Sequence, residues 1–167
     1  MVTDTPGVAL TVLAADCVPI LVADATRRVV AAVHAGRRGT TGRIAERAVD
    51  VMAQTFGSDP STLAALIGPS VCREHYPVGQ LAAGAARNVF AAEAVYRRAD
   101  GVTCLDLREE NRVQLQRAGI PQGQIAIAAM CTFEESRLFF SERRDGAATG
   151  RFAAGIWLDD AVSTPPT

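Results

Sequence analysis

Cys17 and His34 are the residues of this chain best suited to chemistry. They stand in Ala-Asp-Cys (15–17) and His-Ala-Gly (34–36), each at the end of an apolar run. A thiolate and an imidazole held on rigid strand ends make either a nucleophile with its base or half of a metal site. The plain alternative is a buried cysteine and a satisfied core histidine. The stretch Gly36-Arg37-Arg38-Gly39-Thr40-Thr41-Gly42 follows His34 at once. Its glycines permit close backbone approach, Thr40 or Thr41 is suited to cap a helix, and its arginines are fixed cations suited to phosphate or carboxylate.

Three short strands must position these groups. Val8 to Leu13 leads to Asp16 and Cys17, Ile20 to Ala23 follows a Pro19 step, and after an Asp-Ala-Thr turn (24–26) Val29 to Val33 delivers His34. Short β-branched runs bounded by turn residues predict buried strands. If the outer two lie near each other in one sheet, Cys17 and His34 end at the same edge. Downstream, a 3.6-residue period predicts a helix over 42–56 that stops at Gly57. Strands are expected over 63–67, 102–105, 125–130 and 151–158. Helices are expected over 81–95 and from Asp106 to Arg117, the second opened by a capping-box-like Asp106/Glu109 pair. Arg143 to Gly146 reads as a charged turn and 163–167 as a frayed tail. Residues 1–162 are thus expected to form a single domain of mixed helices and sheets.

Composition narrows the function. The chain has 167 residues, 49% hydrophobic and 21% charged, with a net charge of −1. That is enough to bury a core, and it offers no basic surface for nucleic acid. No apolar run approaches the roughly 18 residues of a spanning helix, so no membrane role is expected. Cys17, Cys72, Cys104 and Cys131 are scattered without a Cys-x-x-Cys pair, which points to free thiols in a reducing, cytoplasmic compartment.

The strings Thr11-Val12-Leu13-Ala14-Ala15-Asp16-Cys17-Val18-Pro19-Ile20 and Val33-His34-Ala35-Gly36-Arg37-Arg38-Gly39-Thr40 resemble the YfiH-like family, also called laccase-domain proteins or polyphenol oxidases. Ile67-Gly68-Pro69, Leu105-Asp106-Leu107 with Asn111, Cys131-Thr132, the Phe-Phe-Ser-x-Arg-Arg-Asp-Gly stretch (139–146) and Thr149-Gly150-Arg151 match in the family's order. The resemblance implies an α+β fold, a layered α-β-β-α sandwich similar to that of some cysteine hydrolases. It also implies a zinc site with three ligands: a His in a Val-His-Gly segment, the Cys of Ala-Asp-Cys and the His of His-Ala-Gly. The last two correspond to Cys17 and His34. The implied activity is phosphorolysis of adenosine, inosine, guanosine and methylthioadenosine, with deamination of adenosine. The older implied label is a copper-dependent phenol oxidase.

The chain departs from the family pattern in three places. Arg37 stands where the family has Trp, and Cys72-Arg73-Glu74-His75-Tyr76-Pro77 replaces a Gly/Pro/Cys-rich loop. The first His ligand is expected upstream of Met1, so the chain is read as an N-terminally truncated form, a monomer when full length. Arg38, Arg143 and Arg144 are the candidates for holding phosphate or ribose, with solvated turn arginines as the alternative. Asp16 either orients a ligand or ends a strand. His75 is expected as a surface residue, with completion of a metal set as the alternative, and Cys72, Cys104 and Cys131 as structural thiols, of which Cys131 at a strand end is the one to test. Zinc is the expected metal, and copper is admissible because Cu²⁺ outcompetes Zn²⁺ at many N/S sites. A multicopper laccase needs more histidines than the two present. A Cys17/His34 hydrolase and a non-catalytic remnant complete the readings.

Overall fold

The computed structural model describes residues 1–159; the expected frayed tail at 163–167 lies outside them. In chain order the elements begin β1 (Val2–Thr3), β2 (Leu10–Ala14), β3 (Val18–Asp24), β4 (Val29–Ala35), α1 (Arg37–Thr41), α2 (Ile44–Phe56) and β5 (Ala64–Ile67). They continue with α3 (Gln80–Arg87), β6 (Val95–Arg97), β7 (Thr103–Leu105), α4 (Leu107–Arg117), β8 (Ile125–Ile127), α5 (Glu142–Asp145) and β9 (Phe152–Ile156). The central sheet runs β1-β4-β3-β5-β8, β2 pairs with β9 as a separate ribbon, and β6 pairs with β7. Every pairing in the central sheet is antiparallel except β5 with β8.

Two-residue periodicity sorts the central strands between two cores. From β3 and β4, Val18, Ile20, Val22, Val29, Ala31 and Val33 join the core that also takes Val49 and Met52 of α2 and Leu107 and Leu115 of α4. The alternate residues Leu21, Ala23, Val30 and Ala32 meet Leu10 and Val12 of β2 and Ala154 and Ile156 of β9. The molecule is therefore layered: helices, sheet, ribbon. This places β2 across the sheet from β4, and the expectation that the outer two strands share one sheet is corrected. β3 and β4 are the pair that is hydrogen-bonded, closed by an Asx turn in which Asp24 Oδ1 accepts from the N–H groups of Thr26 and Arg27 at 2.9 Å.

α2 ends at Gly57 in the left-handed region, as its period predicts. α4 opens with Asp106 Oδ1 accepting from the Glu109 N–H at 3.0 Å. The helix expected over 81–95 is shorter. α3 ends at Arg87, and Val95 is drawn into the β6–β7 hairpin opposite Leu105; strand pairing overrides the alanine-rich propensity. Thr40 and Thr41 do not cap a helix either. They lie inside α1, which starts after Gly36, and α2 starts after Arg43. Thr40 is instead tied to α4: its Oγ1 accepts from Asn111 Nδ2 at 3.0 Å and its carbonyl from Gln114 Nε2 at 2.8 Å. Gln114 also donates to Glu110, which accepts from the Ala91 N–H. This buried polar network fixes α1 directly after His34.

Leu115 is fully buried in the main core, whereas Leu13 is 57% exposed. Leu115→Ala is expected to cost about 2–5 kcal/mol and Leu13→Ala less than about 0.5 kcal/mol, read from urea denaturation midpoints at constant slope.

Candidate functional site

The β3–β4 register brings Cys17 and His34 together. Val18 is opposite Ala35 and Pro19 opposite His34, so the chain entering β3 at Cys17 meets the chain leaving β4 at Gly36. His34 alternates with Val33 and Ala35 and points to the ribbon side. There its Nδ1 lies 3.0 Å from the Leu13 carbonyl oxygen. That contact needs the proton on Nδ1 and leaves the Nε2 lone pair free. A Cβ built on Gly36 would lie 2.8 Å from Cys17 Sγ and 3.6 Å from His34 Nε2. The two donor atoms thus flank one open point above Gly36, and only the missing side chain keeps it open.

Burial pushes the Cys17 thiol above its ordinary pKa. The Asp16 and Glu142 carboxylates reinforce the shift, and Arg151 and Arg143 oppose it. A thiol raised in this way is a poor free nucleophile near neutrality, whereas a metal ion deprotonates such a ligand outright. A soft sulfur and an imidazole nitrogen suit zinc. Among the described residues no third His, Cys, Asp or Glu joins this pair in a ligand cluster.

Asp16 does more than end a strand. It has φ +92° and is buried. Oδ1 accepts from Thr132 Oγ1 at 2.7 Å, Oδ2 from the Arg143 N–H at 2.7 Å, and its carbonyl from the Val71 N–H at 3.1 Å. Three distant segments are thereby fastened beside Cys17. One of them brings Arg143, whose guanidinium lies 4.3 Å from the centre of the Tyr76 ring and donates to the Pro77 carbonyl. Asp16, Cys17, Tyr76, Leu107, Glu142 and Arg143 line a cavity of about 190 Å³. His34 borders an apolar groove of about 640 Å³ with Val12, Val33, Ile44, Ala48 and Phe56.

The expected anion-binding arginines part company. Arg38 is exposed and free of side-chain hydrogen bonds among the described residues. Arg144 donates to the carbonyls of Thr132, Phe133 and Phe139 and pairs with Asp145. It holds the 132–145 turn together and has its N–H groups engaged there.

The sequence reading missed a second constellation. His75 is half-buried, not a free surface residue, and lies 3.2 Å from Cys72 Sγ. Cys131 and Glu134 complete a group of four donors within 4.8 Å of one another. Burial, then the Cys131 thiol, push the Cys72 thiol up to about 12. The signal was available as two pairs at equal spacing, Cys72-x-x-His75 and Cys131-x-x-Glu134; a search for Cys-x-x-Cys passes over both. Cys104 is buried within the β6–β7 hairpin, opposite Tyr96, and belongs to neither cluster.

The profile of the family described as multi-copper polyphenol oxidoreductase laccase matches residues 1–159. A purine nucleoside phosphorylase of Deinococcus radiodurans is 42% identical over 158 residues, covering 95% of this chain and 60% of that protein. Purine nucleoside phosphorylase YlmD of Bacillus subtilis is 36% identical, over 95% of this chain and 58% of that protein. Adenosine deaminase RL5, from an unknown prokaryotic organism, is 38% identical over 94% and 61%. The crystal structure of YfiH from Bacillus licheniformis superposes with a TM-score of 0.89 at 38% identity, covering 95% of this chain and 60% of that one. The chain therefore spans about three-fifths of the length of these relatives.

Gly36→Ala is expected to displace Cys17 Sγ while leaving the circular dichroism spectrum unchanged, because the backbone there is ordinary (φ −76°). Any zinc that Cys17 and His34 hold should be lost, read as a fall of one equivalent by metal analysis. In chelator-treated protein, Cys17 alkylation resolved by peptide mass should be slower than for a free thiol near neutrality. It should rise only at a pH above the ordinary cysteine range, because burial raises the folded-state pKa.

Proposed function

This chain belongs to the multi-copper polyphenol oxidoreductase laccase family, the YfiH-like proteins, and on that premise we propose that it acts on purine nucleosides. The proposed activity is zinc-dependent phosphorolysis of adenosine, inosine, guanosine and methylthioadenosine, with deamination of adenosine. The relatives named as purine nucleoside phosphorylases and as an adenosine deaminase support this reading. The observation that carries it is the convergence of Cys17 Sγ and His34 Nε2 on the open point above Gly36, beside a cavity that Arg143 lines. The reading takes residues 1–162 as one domain, and the four free cysteines support a reducing, cytoplasmic setting.

Cys17 and His34 are the residues that would hold zinc. When bound, the metal supplies a Lewis acid and lowers the pKa of water toward neutrality. The Leu13 carbonyl keeps the His34 ring in the tautomer whose Nε2 is free to coordinate. Arg143, braced on Tyr76, and the exposed Arg38 are the cations for phosphate. Phosphate attacks the ribose anomeric carbon, the bond to the base breaks, and the base nitrogen takes up a proton. In deamination, water adds at the purine carbon bearing the amine and ammonia leaves. The 190 Å³ cavity is smaller than the roughly 300–1,000 Å³ of whole small-molecule pockets, so it suits one end of a nucleoside.

Phenol oxidation by a multicopper centre is disfavoured by the ligands. A blue-copper site takes two His and one Cys, and the two histidines here stand in separate clusters, His34 with Cys17 and His75 with Cys72. A cysteine hydrolase is disfavoured by the raised Cys17 thiol.

The test is chromatography of adenosine and inosine incubated with the protein, with and without phosphate. Adenine and hypoxanthine release should require phosphate, and inosine should form from adenosine without it. Cys17→Ala and His34→Ala should each lower turnover by at least about 100-fold, the scale of losing one transition-state stabiliser. Turnover indifferent to both phosphate and these substitutions would refute the proposal.

A further inference from the structure

The four donors around His75 stand on two loops, each carrying a pair of donors three residues apart. In the first, the 3₁₀ turn Arg73–His75 has the His75 N–H donating to the Cys72 carbonyl at 3.1 Å. That turn sets the Cys72 and His75 side chains on one side, as i,i+3 residues of such a turn must be. In the second, a wider turn is closed by the Glu135 N–H donating to the Cys131 carbonyl at 2.9 Å, and Cys131 and Glu134 converge on the first pair. The loops are joined where Ser70 bridges to Cys131, with the Thr132 N–H donating to the Ser70 carbonyl. The Cys72 N–H donates to Cys131 Sγ at 3.3 Å, a contact suited to a sulfur that carries negative charge.

The separations match a single coordination shell. Cys72 Sγ is 3.2 Å from His75 Nδ1 and 3.8 Å from Glu134 Oε1. His75 Nδ1 is 3.9 Å from Cys131 Sγ and 3.4 Å from Glu134 Oε1. A tetrahedron around zinc, with bonds of about 2.0–2.3 Å, has edges of about 3.3–3.8 Å. Two sulfurs, one imidazole and one carboxylate are a set that selects zinc over calcium or magnesium. The His75 ring stacks on Phe133, with centroids 4.2 Å apart and planes at 11°, which holds Nδ1 toward the sulfurs. Both cysteines are buried, while Glu134 is exposed and gives the ion a way in.

We propose that Cys72, His75, Cys131 and Glu134 form a structural zinc site, distinct from the Cys17/His34 pair, that clamps the two loops together. Both thiols ligate as thiolates and their two protons pass to solvent; Nδ1 and one carboxylate oxygen supply the remaining ligands. With four protein ligands the site is closed, as structural zinc sites are. Its place in the fold assigns its role. The residue before Cys72 is Val71, whose N–H holds the Asp16 carbonyl, and the residue after Cys131 is Thr132, whose hydroxyl holds the Asp16 carboxylate. The ion therefore braces the support on which Cys17 stands, and the inference does not depend on the proposed activity.

The test uses the full chain carrying Cys17→Ala and His34→Ala, purified under reducing conditions and titrated with cobalt(II) in place of zinc. One equivalent should bind with a thiolate-to-cobalt charge-transfer band and the intense d–d absorption of a tetrahedral ion. Adding Cys72→Ser or Cys131→Ser should abolish the band. His75→Gln and Glu134→Gln, at a half-buried and an exposed position, keep the test valid should the buried variants fail to fold. Each should weaken zinc in competition with a chelating dye by more than the roughly 10–100-fold typical of losing an outer-sphere partner. The proposal is overturned by a double variant that binds no cobalt, or by absorption unchanged in the Cys72 and Cys131 variants. Zinc affinity unmoved by both Gln variants would also overturn it. So would a Cys72–Cys131 disulfide under these conditions, read as a loss of two hydrogens located by peptide mass to the segments that carry them.

Discussion

The antiparallel register of β3 on β4 is the constraint on which the rest of the structure depends. Pairing Val18 with Ala35 turns Ile20, Val22, Val29, Ala31 and Val33 to the helices and Leu21, Ala23, Val30 and Ala32 to the ribbon. A slip of one residue would exchange both faces at once, setting side chains shaped for one layer into the other, where misfitted packing costs about 1–3 kcal/mol per site. The hydrophobic layers thus hold the register, and the register sets Cys17 opposite Gly36 with His34 two residues away. The same pairing that organises the core creates the candidate metal pair.

Asp16 extends this arrangement to the distant half of the chain. Its buried carboxylate accepts from Thr132 and from the Arg143 backbone, and its carbonyl from Val71. Bonds to a charged acceptor contribute about 1.5–3 kcal/mol each, which offsets the left-handed backbone the residue adopts. Arg143 reaches the Cys17 cavity through its backbone bond to Asp16, and Arg144, the next residue, is turned to the carbonyls of its own loop. Two neighbouring arginines of the same type consequently have different surroundings and different uses.

The family's laccase name and the phosphorylase and deaminase names of its relatives point to different chemistry, and the function proposed above follows the latter. Two histidines held in separate clusters, each with cysteine, suit two zinc-type sites better than one copper centre. The arrangement also relates the clusters to each other. The loops that carry Cys72 and Cys131 are the loops that hold Asp16.

The sequence by itself determined the local elements and the identity of the first pair. α2 with its Gly57 end, α4 with its Asp106 cap, the β3–β4 strands and their Asp24 turn follow from periodicity and turn chemistry, which act over a few neighbouring residues. Cys17 and His34 were legible because each ends an apolar run in a string that resembles one family. The tertiary structure alone decided what depends on distant pairing. It placed β2 across the sheet from β4, cut the helix after Arg87 so that Val95 could pair with Leu105, and buried Thr40 against α4. It engaged Arg144 with carbonyls from its own turn. Above all it joined Cys72 and His75 to Cys131 and Glu134, which lie 56 to 62 positions away in sequence, because the loops after β5 and β8 are brought side by side only when those strands pair in parallel. Neither loop holds more than half of that cluster, so the two spaced pairs become one site only in the fold.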